Sequence, residues 1–168
     1  SLAPVDAGCA RDIAADAAAA FECFERGLSR CALVTDDGWC SSGWDTHSGN
    51  EVQAVHYELL FGYLSRLMED LASRTSVTGG SLLDEVTVVV VSEMCRHPQL
   101  NATGGKDHWT YTSAMILGAG VRGGQAIGAM NADFQGRPVD LRSGEVTETG
   151  TGLLPGHLGA TLLALADI

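Results

Sequence analysis

The stretch that decides the fold is Leu82-Leu-Asp-Glu-Val-Thr-Val-Val-Val-Val-Ser-Glu93, in which residues 86–91 are almost all β-branched. A near-continuous run of such residues is typical of a parallel strand that is buried on both faces. The run ends abruptly in polar residues at Ser92 and Glu93. It therefore predicts a central strand with a neighbouring strand on each side.

Helical and extended patterns lie on both sides of this strand. Apolar residues at three- and four-residue steps predict one helix from Asp6 to Leu28 and another from Val52 to Leu71. The spacing of Ser48 with Glu51, or of Asn50 with Gln53, suits a capping box at the start of the second helix. Shorter patterns predict strands at residues 31–35 and 113–117 and a last helix at 157–166. Strand–helix–strand order with a long crossover predicts an α/β fold whose mostly parallel sheet is flanked by helices.

Composition restricts the class of protein. The chain has 168 residues, of which 45% are hydrophobic and 18% charged, and this suits one domain with a real core. Its net charge of −11 would be repelled by phosphate backbones, so nucleic acid is excluded as a partner. No stretch approaches the ~20 apolar residues of a membrane span.

The five cysteines have no CxxC spacing, which argues against a structural zinc site. An odd number fits either reduced thiols or one or two disulfides with a thiol left over. Cys31 and Cys40 flank a loop that is short enough to be closed by a disulfide if the protein is exported.

Three polar clusters lie at or just beyond the predicted strands. They are Asp45-Thr46-His47, Ser92-Glu93 with Arg96, and Asp107-His108. Ligands gather at the carboxyl ends of strands in open α/β sheets, and Asp, Glu and His are metal ligands. Residues i and i+2 of an extended segment point the same way, so Asp45 and His47 are suited to hold one ion together. The alternative for each cluster is an ordinary hydrogen bond at the surface.

A family resemblance rests on four motifs in order, and it runs from about Cys31 to Ile168. The motifs are Gly43-Trp-Asp-Thr-His-Ser48, residues 82–93, Gly105-Lys-Asp-His-Trp109 and Ile116-Leu-Gly-Ala-Gly-Val-Arg-Gly-Gly124. Together they resemble the DUF1501 family, which is similar in turn to alkaline phosphatases and sulfatases. The resemblance implies that residues 1–168 are the C-terminal portion of one alkaline phosphatase-like domain whose upstream part is absent.

The same resemblance implies a metal-dependent hydrolase of phosphate or sulfate esters that is periplasmic or extracellular. Its divalent ions (zinc, manganese or calcium) would be held by Asp45, His47 and His108 at one position and by Glu93 at the second. An anionic ester substrate would be contacted by Arg96 and Lys106. The nucleophile of the superfamily is expected upstream of Ser1.

One departure supports an alternative function. The superfamily commonly has Asp-His where this chain has Glu93-Met94, so a histidine of the second metal is missing. The alternative is a non-catalytic descendant that serves as a binding or assembly module. In either case we expect residues 1–168 to be stable only with an N-terminal segment, or another chain, that completes the sheet.

Other motifs are interpreted as structural. Residues 118–123 match G-x-G-x-x-G, but glycines follow where a dinucleotide site needs a helix, so a turn is predicted. Asn101-Ala-Thr103 is a formal glycosylation sequon that we interpret as coincidence. Trp44 and Trp109 flank ligand candidates and are expected to pack beside them.

Overall fold

The computed structural model describes residues 13–38 and 43–166. Within these residues there are three helices and four short strands: α1 (Ile13–Glu25), α2 (Val52–Ser73), β1 (Thr87–Val91), β2 (Cys95–Arg96), β3 (His108–Trp109), β4 (Ala114–Gly118) and α3 (Pro155–Leu165). A 3₁₀ turn, Leu82–Asp84, precedes β1. The chain divides into two compact units. The first unit runs to Val86 and includes Gln99–His108, and the second comprises Thr87–Pro98 and Trp109–Ile168.

The first unit is built on the packing of α1 against α2. Ile13, Ala17 and Phe21 of α1 recur every four residues and are buried, because this spacing places them on one face of the helix. Leu71 of α2 and Leu82 of the 3₁₀ turn are almost completely buried. Full burial of one such side chain contributes about 1.5–3 kcal/mol, so these few residues form the core of the first unit.

The ends of the two helices follow their local chemistry. The predicted first helix ends at Glu25 rather than Leu28 because Gly27 adopts a left-handed conformation with a φ of 63°, the usual stop signal after a helix. The second helix is confirmed over Val52–Ser73, but neither predicted capping box forms, since no side chain caps this helix. Its first turn instead uses backbone bonds, such as the one from Gln53 N to Asn50 O at 3.1 Å.

The predicted mostly parallel sheet is wrong. β1 pairs antiparallel with β4, in a register that joins Thr87 to Gly118 and Val91 to Ala114. β2 and β3 form a second two-stranded sheet. A parallel pair needs a crossover connection, usually a helix. Helix α2 lies between residues 31–35 and β1, but residues 31–35 form no strand that it could connect to β1, and Leu33 is 92% exposed.

The predicted disulfide also involves this segment. Cys31 is exposed and carries a free thiol. Cys40 lies outside the described residues.

In the second unit, Val139 is the buried centre of a small β-rich region. It is 1% exposed and forms isolated antiparallel bridges to Val146 and Thr151. Gly150 packs so closely that a Cβ there would lie 2.5 Å from the Val139 carbonyl. The last helix begins at Pro155, and His157 Nδ1 accepts a hydrogen bond from Leu154 N at its start. In the part of the chain that the structure describes, no helix is long and apolar enough to cross a membrane.

The first prediction concerns Arg74, which ties α2 to α1. Its guanidinium lies 2.8 Å from Glu25 and 3.0 Å from Asp70, and 5.7 Å from the centre of the Phe21 ring. The side chain is only 23% exposed. Arg74→Met should therefore lower the free energy of unfolding by about 1–2 kcal/mol, as measured by urea denaturation.

The matched control is Arg26→Met. Arg26 pairs with Glu22 one helical turn away, but these side chains are 64% and 57% exposed. Water screens such a pair, so this substitution should cost less than about 0.5 kcal/mol. Equal effects of the two substitutions would contradict the assigned role of Arg74.

The second prediction concerns pH. Hydrogen bonds from Ser76 (2.6 Å) and Thr78 lower the pKa of the Glu85 carboxyl in the folded protein. A lowered folded-state pKa stabilises the fold above the carboxyl's ordinary pKa, and that contribution is lost as the pH falls through the folded value. Ser76→Ala should therefore weaken the decline of unfolding free energy between neutral and acidic pH. Ser73→Ala, whose hydroxyl binds the carbonyl of Asp70, should leave this decline unchanged.

Candidate functional site

The candidate site is built where two segments of the first unit, residues 46–50 and 101–106, lie side by side. Lys106 N donates to Thr46 O at 2.9 Å, and Asn50 N donates to Gly104 O at 3.0 Å. Ser48 and Gly104 form an antiparallel bridge. The pairing brings together residues more than fifty positions apart in sequence. The first segment contains His47, and the second segment ends two residues before His108.

Buried and exposed side chains alternate over residues 45–47. Thr46 is completely buried, whereas Asp45 and His47 on either side are exposed. The hydroxyl of Thr46 donates a hydrogen bond to Asn50 Oδ1 at 3.4 Å. Because Thr46 is anchored inside, its two neighbours are directed outward together.

Asp45 and His47 are in direct contact. Asp45 Oδ1 contacts Nδ1 of the His47 ring and accepts a hydrogen bond from His47 N at 3.3 Å. A carboxylate at Nδ1 favours the imidazole tautomer that carries its proton on Nδ1 and its lone pair on Nε2. We assign this tautomer to His47 from the contact.

The ring of His108 packs against the ring of His47. The two ring centres are 4.6 Å apart and the rings are tilted by 53°. His47 thus contacts both Asp45 and His108, and we call these three residues the histidine cluster. The contacts are pairwise: across residues 13–38 and 43–166, no three His, Cys, Asp or Glu side chains are grouped in a way that could hold a metal ion.

Gly105 makes the close approach of the two segments possible. It is buried, and a Cβ there would overlap the carbonyl group of His47 and the amide of Ser48. Only glycine fits at this position without displacing one of the segments. The sequence shows Gly105 only as part of a motif. The need for glycine there cannot be predicted from the sequence, because it depends on contact with His47 and Ser48, which are remote in sequence.

Lys106 and Asp107 complete the second segment. The half-buried Lys106 is positioned by its backbone bond to Thr46, next to the histidine cluster. Asp107 is exposed, and its Oδ1 accepts a hydrogen bond from the side chain of Asn101 at 2.9 Å. A cationic and an acidic residue therefore directly precede His108 in the chain.

The remaining two predicted site residues belong to the second unit. Glu93 is exposed, and its carboxylate accepts a hydrogen bond from the Ser92 hydroxyl at 3.2 Å. Arg96 is half-buried in β2. The histidine cluster, by contrast, lies within the first unit.

Both tryptophans that flank the ligand candidates in sequence pack against other aromatic rings. Trp44 packs edge-on against the buried ring of His56, with ring centres 5.0 Å apart, and against Tyr57, with ring centres 5.3 Å apart. In the second unit Trp109 contacts His97 at 4.4 Å, with perpendicular rings. Such edge-to-face pairs stabilise the surrounding structure by about 0.5–1.5 kcal/mol each.

Comparison with known proteins agrees with the motifs that surround the cluster. Residues 5–143 match the family described as protein of unknown function, DUF1501. The chain belongs to the DUF1501 family. No curated protein and no solved structure matches it. The match includes all six predicted site residues of this DUF1501 protein, but its description assigns them no activity.

The third prediction tests the close approach at Gly105. Gly105→Ala should separate the two segments and lower the free energy of unfolding by about 1–3 kcal/mol, the usual cost of overpacking. Gly80→Ala is the control, because nothing lies within 4 Å of a Cβ at that position; it should change stability by less than about 0.5 kcal/mol. Chemical denaturation of the two variants measures both effects, and indistinguishable midpoints would show that the segments are not in contact.

Proposed function

We propose that this DUF1501 protein is a metal-dependent hydrolase-like domain that acts on phosphate or sulfate esters. The observation that supports it is the central position of His47, whose ring contacts both the Asp45 carboxylate and the His108 ring. Two imidazoles and a carboxylate are a donor set that suits zinc and related divalent ions. The substrate class comes from the resemblance of the motifs to alkaline phosphatases and sulfatases.

The roles of the cluster follow from its contacts. His47 and His108 would hold the ion, and Asp45 would either share it or fix the His47 ring through Nδ1, as carboxylates commonly do beside metal-bound histidines. A bound divalent ion would polarise an oxygen of the ester and stabilise the charge that develops there. Lys106 would neutralise part of the anionic substrate's charge.

The proposal extends to the second unit through two residues. Glu93 would supply an acidic ligand for a second ion, and Arg96 would contact the substrate anion. We further propose that the protein is exported and that an N-terminal segment, or another chain, supplies the nucleophile. These assignments rest on the family resemblance rather than on the contacts of the histidine cluster.

A non-catalytic role is the alternative proposal, and a specific observation favours it. Glu93 is followed by Met94 where the superfamily commonly places a metal-binding histidine. The donors near His47 also make contact in pairs rather than as a group of three, among the residues that the structure describes. In this alternative the protein serves as a binding or assembly module.

The fourth prediction separates these functions by metal content. Purified protein equilibrated with zinc and then dialysed should retain about one equivalent, as measured by elemental analysis. His47→Ala and His108→Ala should each remove most of this metal, because each deletes one of the two imidazoles that would bind the ion. His157→Ala, a substitution in the second unit, should leave the metal content unchanged.

Two outcomes count against the metal-dependent function. A wild-type protein without bound metal favours the binding or assembly module. Equal metal content in the wild type and both histidine variants would show that any bound ion lies elsewhere. If metal is bound as predicted, Lys106→Ala should retain the metal but bind inorganic phosphate more weakly than the wild type.

A further inference from the structure

The side chain of Asn101 forms hydrogen bonds through both its oxygen and its nitrogen beside the histidine cluster. Its Oδ1 accepts hydrogen bonds from Thr103 N at 3.0 Å, Thr103 Oγ1 at 2.8 Å and Gly105 N at 3.0 Å. The backbone closes the same turn, with Asn101 N donating to Gly105 O at 2.9 Å. The oxygen of the side chain therefore holds the turn that contains Gly105.

The nitrogen of the same amide faces the site. Asn101 Nδ2 donates to His47 O and to Asp107 Oδ1, both at 2.9 Å. The orientation of the amide is determined by its neighbours. Backbone N–H groups of the turn must face the oxygen, whereas a carbonyl and a carboxylate must face the NH₂ group. Both amide hydrogens are thus used.

These two bonds join the segments that carry the imidazoles. One bond ends on the backbone of His47, and the other ends on the residue directly before His108. Thr103 Oγ1 lies 2.9 Å from His47 O and 2.8 Å from Asn101 Oδ1, and its single hydroxyl hydrogen is available to one of these two acceptors at a time. Asn101 thus links the two segments through the backbone of His47 and through the carboxylate of the residue before His108.

We propose that Asn101 is a positioning residue that sets the spacing of His47 and His108, an inference that rests on the metal-binding function proposed above. Residues that orient metal ligands commonly affect metal affinity by about 10–100-fold when they are replaced. The proposal also gives the Asn101-Ala-Thr103 sequon a different meaning. A glycan would replace one N–H of Nδ2, so glycosylation and both hydrogen bonds exclude each other.

The test is Asn101→Asp in the full chain. Aspartate keeps the oxygen that holds the turn but places a second oxygen against His47 O and the Asp107 carboxylate. Its matched control is Asn131→Asp in the second unit. Asn131 Oδ1 holds a similar turn through Asp133 N at 3.0 Å and Gln135 N at 2.9 Å, so the control reports the cost of the same change in a turn away from the cluster.

Two measurements are made at a temperature where both variants are folded. Zinc affinity, measured by calorimetry, should fall about 10–100-fold in Asn101→Asp and stay at the wild-type value in Asn131→Asp. Nuclear Overhauser effects between the ring protons of His47 and His108 should weaken only in Asn101→Asp. A purely structural role would lower the melting midpoint without changing the ring contact of the folded protein, and that result would overturn the proposal.

The two proposals fail in different ways. If the wild type binds no zinc, the metal-binding function fails, and the ring contact alone decides the role of Asn101. If Asn101→Asp does not fold, Asp107→Ala decides, because it removes one acceptor of the Asn101 amide at an exposed position. A weakened ring contact in Asp107→Ala supports the positioning role, and an unchanged contact overturns it.

Discussion

The structure of the candidate site depends on the close pairing of residues 46–50 with residues 101–106. Thr46 is anchored inside, and Gly105 allows the two backbones to approach. Unpaired backbone groups are costly when they are buried, and here the bonds between the segments satisfy several of them. The exposed positions of Asp45 and His47, and the approach of His108 to the His47 ring, are consequences of this backbone pairing. The positions of the candidate ligand side chains thus depend on the pairing of the two backbone segments.

Sequence patterns predicted the helices well, for a physical reason. The stripe along α2 is periodic over many turns, and such a stripe has one local solution, a helix with that face inward. The helix observed from Val52 to Ser73 matches it. The pairing of β1 could not be read in the same way. A run of valines indicates a strand, but its direction depends on which partner it meets, and that partner proved to be β4, running antiparallel.

The same distinction applies to the site. The alternation of Asp45, Thr46 and His47 is local, so the outward direction of the two ligand candidates was predictable. That His108 joins them was expected only through the family resemblance, since nothing local places it there. Asn101 was interpreted only as part of a coincidental sequon, since its hydrogen bonds to His47 and Asp107 cannot be read from the sequence. The importance of such residues lies in long-range bonds that no periodicity records.

The first unit is not continuous along the chain. The polypeptide leaves it at Val86, contributes Thr87–Pro98 to the second unit, and returns for Gln99–His108. The site consequently cannot be excised as an uninterrupted fragment. During synthesis, residues 46–50 have no partner until residues 101–106 have been made, and the intervening residues have to be closed into a loop at an entropic cost. Both helices of the first unit are therefore synthesised before the segment that completes the histidine cluster.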